Sequence, residues 1–154
     1  MNKLQRMLFV DDRTRRIHSA LRQYSDVYEV TIATNVKEAL RQLSRYDWNI
    51  VSLDHDMTGI DFEDPDTPTC GMEIVRYVEK TGWPENRHKP DIIVHTSNIF
   101  AAHLMTVRLQ ALGFAVRQFR FQYDDQVENL KYDETCLRPC LPAGRSRKQE
   151  GLPA

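Results

Sequence analysis

The sequence predicts an α/β fold: a five-stranded parallel sheet with helices on both faces. Short apolar runs alternate along the chain with stretches of helical period. Such alternation implies parallel strands joined by right-handed crossovers, with helices covering both faces of the sheet. The length, 154 residues, suits one domain and leaves room for a core.

The first strand is predicted over Met7–Val10 and ends in the pair Asp11-Asp12. Ile17, Ala20, Leu21 and Tyr24 then share one face of a helix. Tyr28–Ala33 reads as the second strand, with β-branched Val30, Thr31 and Ile32. Asn35 is placed to cap the next helix, with Glu38 three residues on as in a capping box and Val36, Ala39, Leu40 and Leu43 as the apolar stripe. Trp48–Leu53 is a short apolar run ending in Asp54, which suits a buried third strand.

Thr58–Gly71 is rich in Asp, Pro, Thr and Gly and has no period, so it reads as a long loop. Loops of this length inside a compact domain are usually functional. Ile74, Val75 and Val78 mark a third helix that stops at Gly82. Ile92–Val94 is a fourth strand, followed by His95, Thr96, Ser97 and Asn98. Ala101–Leu112 reads as a fourth helix with Leu104, Val107, Arg108 and Ala111 on one side, and Phe114–Phe121 as a fifth strand. Val127 and Leu130 fit a short last helix. From Arg138 the chain carries three prolines, two glycines and basic residues. The expected division is one domain over residues 1–132 and a disordered tail over 133–154.

A net charge of −1 excludes a chain that coats nucleic acid or a basic membrane-surface protein, so no bulk DNA binding is expected. No apolar run reaches membrane-spanning length and the start lacks a signal-peptide pattern, so a cytoplasmic location without membrane attachment is expected. Cys70, Cys136 and Cys140 are an odd set without a paired Cys or His spacing, which argues against both a disulfide framework and a zinc site.

The chemistry is concentrated at strand ends. Ligands of open parallel sheets bind outside the carboxyl ends of the strands, where strand order reverses. In the order 2-1-3-4-5 the first and third strands are neighbours, so Asp11, Asp12 and Asp54 crowd one crevice. Crowded carboxylates repel one another, and a hard cation with oxygen ligands relieves the repulsion. Mg²⁺ fits, as does another divalent ion such as Mn²⁺. Asp56 is a candidate fourth ligand. His55 and His95 flank the acids on adjacent strand ends, and histidine titrates where it can shuttle a proton. Against this stand simpler readings: solvated turn aspartates, a surface His55 and a buried, hydrogen-bonded His95.

These residues resemble a response-regulator receiver domain, of flavodoxin/receiver type, over roughly Met7–Phe121. That family has an acidic pair after the first strand, here Asp11-Asp12. It has a phosphoacceptor aspartate after the third, here Asp54, followed by a Met and a Gly-containing turn, here Met57 and Gly71. A Thr or Ser ends the fourth strand, here Thr96. The family's fifth-strand Lys is replaced by Arg120, with Arg117 the alternative. The combination Leu53-Asp54-His55-Asp56, His95-Thr96-Ser97-Asn98 and Pro68-Thr69-Cys70-Gly71 is similar to a divergent receiver branch that processes cyclic phosphates. The resemblance implies catalytic roles for Asp54, His55, His95, Thr96 and Arg120, a metal held by Asp11, Asp12, Asp54 and Asp56, and substrate or loop contacts from Asp61, Cys70, Ser97 and Asn98. The implied partner is a phosphate-containing small molecule or an RNA end. The alternative is a stand-alone receiver, phosphorylated on Asp54 by a kinase and acting on an effector protein. A degenerate fold used only for protein binding is a third reading.

Overall fold

The computed structural model describes residues 3–119. Arg120, Cys136, Cys140, the last helix around Val127 and Leu130 and the proposed tail over 133–154 lie outside the described residues. The elements run β1 (Gln5–Val10), α1 (Thr14–Tyr24), β2 (Tyr28–Ala33), α2 (Val36–Arg45), β3 (Ile50–Leu53), α3 (Met72–Thr81), β4 (Asp91–Val94), α4 (Ile99–Ala111) and β5 (Val116–Gln118). All strand pairs are parallel, and the sheet order is β2-β1-β3-β4-β5, as the sequence predicts.

Because strand side chains alternate, the sheet divides its neighbours into two cores. Met7, Phe9, Ile50 and Ile93 pack with Ala20 and Tyr24 of α1. Leu8, Val10, Val51, Leu53, Ile92 and Val94 pack with residues of α2, α3 and α4. The strands of the centre are buried on both faces, which explains their near-continuous apolar character.

Local chemistry fixes the element ends. The Asn35 side chain accepts a hydrogen bond from the Glu38 backbone N–H at 2.8 Å, the cap expected from the sequence. Asn98 does the same for α4 through the Ala101 N–H at 3.1 Å. α3 stops at Gly82, whose φ of 71° lies in the region glycine tolerates.

One face differs from its sequence reading. In α4 the inward residues are Ala101, Ala102, Met105, Thr106 and Leu109, while Val107 is exposed. Apolar residues are spread round this helix, so period alone does not fix which side turns inward.

Candidate phosphate site

The β1–β3 register pairs Val10 with Leu53, so the next residues, Asp11 and Asp54, emerge side by side. The ladder continues past the strands: Asp54 N–H donates to Val10 O at 2.9 Å, and His95 N–H to Leu53 O at 2.9 Å. Three neighbouring strand tips therefore present Asp11, Asp54 and His95 together. Carboxylate oxygens of Asp11, Asp12 and Asp54 all lie within 4.8 Å of one another.

The structure shows a cation in this crevice that sequence reasoning missed. Arg16 is 2% exposed. Its Nε lies 2.7 Å from Asp11 Oδ2, and its Nη2 lies 3.1 Å from Asp11 Oδ1 and 2.6 Å from Asp54 Oδ2. One guanidinium thus bridges both inner carboxylates. A signal was present in the sequence: Arg16, Ala20 and Tyr24 are spaced by four and form the buried stripe of α1.

His95 is enclosed as well. Its ring stacks on Phe9 with centroids 4.6 Å apart, its Nε2 is 2.9 Å from Asp11 Oδ2 and its Nδ1 is 2.6 Å from Ser52 Oγ. Burial holds its pKa below the ordinary value, although Asp11 pulls the other way. The neutral ring then donates from Nε2 to the carboxylate and accepts the Ser52 hydroxyl at Nδ1. For Asp11 itself burial favours the neutral acid, but His95 and Arg16 outweigh it and the pKa falls. Asp54 behaves oppositely: burial, assisted by Asp11, pushes it up to about 7 despite Arg16 and Thr96.

Asp12 is half-buried. Its Oδ2 accepts the Gly59 N–H at 2.7 Å, while its Oδ1 is buried without a hydrogen-bond partner among the described residues. Burial, with Asp11 nearby, raises its pKa. A buried carboxylate oxygen left open beside two further carboxylates is a donor set that suits a hard cation.

His55 is fully buried, and it is not the surface residue that alternation suggested. It turns to the other side of the sheet, toward Asp56 and Cys70. Its Nδ1 is 2.7 Å from Asp56 Oδ1. Its Nε2 makes no hydrogen bond of normal geometry among the described residues, although the Cys70 thiol is close enough to act on its charge. Burial works against the charged ring, but Cys70 and Asp56 outweigh it and raise the pKa. Cys70 responds in kind: burial disfavours its thiolate, yet His55 and Thr67 lower its pKa. His55 therefore meets Asp56 and Cys70 while His95 meets Asp11, Ser52 and Phe9, and the two do not share a partner among these contacts.

Asp56 organises the loop. Its Oδ2 accepts the Phe62 N–H at 2.9 Å, and its Oδ1 accepts the Glu63 N–H at 3.1 Å and the Asn98 side chain at 3.4 Å. It lies outside the three-carboxylate cluster. Glu63 is buried and accepts from the Met57 N–H at 2.6 Å and the Thr58 hydroxyl at 2.5 Å. Asp61 is exposed at the rim in an ion pair with Arg13. Thr96 is buried, accepts the Asn98 N–H at 3.2 Å and lies near enough to Asp54 to lower its pKa, Ser97 is half-buried, and Asn98 is occupied as the α4 cap. Arg117 is exposed on β5.

The comparisons with known proteins agree with this fold. The family model described as the cyclic-phosphate processing receiver domain matches residues 6–111. The chain belongs to that family. Solved structures similar to this cyclic-phosphate processing receiver domain include response regulators. The receiver domain protein from Methanospirillum hungatei is 23% identical, with a TM-score of 0.54 over 75% of this chain and 82% of that one. TrrA from Thermotoga maritima, in complex with Mg²⁺-BeF, is 20% identical, with a TM-score of 0.56 over 90% and 100%. The bacteriophytochrome response regulator AtBRR is 25% identical, with a TM-score of 0.52 over 76% and 83%. None of the curated proteins matches this chain.

Proposed function

We propose that this receiver domain binds a divalent cation, Mg²⁺ or Mn²⁺, through Asp11, Asp12 and Asp54 and opens or hydrolyses a cyclic phosphate on a nucleotide or RNA end. The observation that carries the reading is the three-carboxylate cluster with its unpartnered, buried Asp12 Oδ1. The family match supports the substrate class, and the Mg²⁺-BeF complex of TrrA supports the cation. When bound, the ion supplies charge neutralisation for phosphoryl oxygens and an activated water.

The chain's own residues divide the remaining work. His95 orients Asp11 and keeps it ionised. Thr96 holds Asp54. His55, with its Nδ1 on Asp56 and its Nε2 beside Cys70, fixes the loop that borders the pocket. Purified protein mixed with Mg²⁺ and a 2′,3′-cyclic nucleotide should yield the ring-opened monophosphate. The Asp12→Asn and His55→Gln variants should lose turnover. Absence of product, or full activity in both variants, would remove the reading.

A second reading has one specific support, the buried Thr96 hydroxyl near enough to Asp54, at the receiver acceptor position, to lower its pKa. Asp54 would then accept a phosphoryl group from a kinase and signal to an effector. Arg16 covering Asp54 Oδ2 counts against it. Acetyl phosphate labelling that vanishes in Asp54→Asn would favour this reading, and no labelling would dismiss it.

A further inference from the structure

We infer that Arg16 is a built-in counter-cation of the acidic pocket, and that it competes with a divalent ion for Asp11 and Asp54. The inference rests on the metal reading above. A buried carboxylate pair needs a positive charge near it. Here Arg16 supplies one from within the chain, at 2.7 Å from Asp11 and 2.6 Å from Asp54. The guanidinium stays charged at every relevant pH, and its planar fork suits two carboxylates at once.

Its position is set by those acids. Arg16 lies in the first turn of α1, where the helix dipole disfavours a cation, and the turn carries no acidic residue of its own. The strand-tip carboxylates offset that cost. Asp12 Oδ1 is buried without a hydrogen-bond partner among the described residues. The oxygens of Asp11 and Asp54 that Arg16 engages become available only if the guanidinium withdraws. Arg16 thus keeps the pocket folded without metal, and it lowers affinity for the ion by repulsion and by occupying ligands. Ion binding and withdrawal of Arg16 are one coupled event.

Chelator-treated wild type, Arg16→Met and Arg16→Lys can be titrated with MgCl₂ by calorimetry, with unfolding midpoints measured in EDTA and in excess Mg²⁺. Arg16→Met should unfold earlier in EDTA, gain more stability from Mg²⁺ than wild type, and bind Mg²⁺ roughly tenfold tighter or more, the scale expected for removing a unit charge from such a pocket. Arg16→Lys, whose compact charge cannot bridge both acids, should fall between. Equal or weaker Mg²⁺ affinity in the variants while wild type binds would overturn the inference and leave the metal reading standing. If Arg16→Met fails to fold even with Mg²⁺, Arg16→Lys decides on the same criterion. If none of the three responds to Mg²⁺, the metal reading fails and the competition with it.

Discussion

Both ring nitrogens of His95 are engaged and the side chain is sealed between Phe9, Ser52 and Asp11. Such a histidine supports its neighbours and has no route to exchange protons with a substrate. His95→Ala should therefore cost about 3 kcal/mol of stability, as other large-to-small core changes do, with urea unfolding as the measurement. A variant that keeps wild-type stability while losing turnover would return His95 to a chemical role. Asp54 carries the pH dependence. Its folded pKa of about 7 lies above its ordinary 3.8, so between these values the native state binds more protons than the unfolded one. Its stabilising contribution is complete below the lower value and disappears as pH rises through the higher. Urea midpoints in EDTA should show wild type losing ground to Asp54→Asn between about pH 4 and about pH 7. A constant difference would contradict the raised pKa. Residue identities here were partly legible. Aspartates at strand ends announce themselves, but a buried arginine is masked by the prior that charged residues face water.

The loop between β3 and α3 shows what an element adds. Its backbone is held by side chains instead of a regular ladder: Asp56 and Glu63 receive its N–H groups, and Arg76 donates to Pro65 O at 2.5 Å and Thr67 O at 2.6 Å. Gly71 docks this loop on the strand, with its N–H on His55 O at 2.8 Å. A Cβ at that position would overlap the Asp54 carbonyl. Gly71→Ala should push Asp54 out of register, destabilise by about 2 kcal/mol and abolish ion binding. Thermal unfolding together with a Mg²⁺ titration reads both effects, and wild-type behaviour in both would refute the close docking. Arg76→Ala should speed amide exchange at Phe62, Glu63 and Thr67 while leaving the β1 amides protected. The sequence marked this segment as a functional loop because it has no period. It did not reveal the buried Glu63 or the Arg76 clamp, because both act through contacts with backbone that no pattern encodes. Helix α4 fails for another reason: with apolar residues on most sides, its buried face is chosen by the packing of its neighbours.

At the scale of the molecule, the sheet order brings separate stretches of chain to one edge and gives the site its logic. That order was legible, since alternating runs and strand-end acids leave few other arrangements. What the sheet does to the two histidines was not. Adjacent strand ends suggested a shared target, yet the pleat sends His95 into the core with Phe9 and His55 toward Cys70 on the opposite side. The result is an acidic pocket charged on one face of the sheet and a histidine held by the loop on the other. The account stands on the first of these accepting a divalent ion. A Mg²⁺ titration of isotope-labelled, chelator-treated protein, followed by NMR amide shifts, tests it most directly. Saturable shifts centred on Asp12, Asp54 and Gly59, lost in Asp12→Asn, are the predicted result. Unchanged spectra, or the same shifts in the variant, would contradict it.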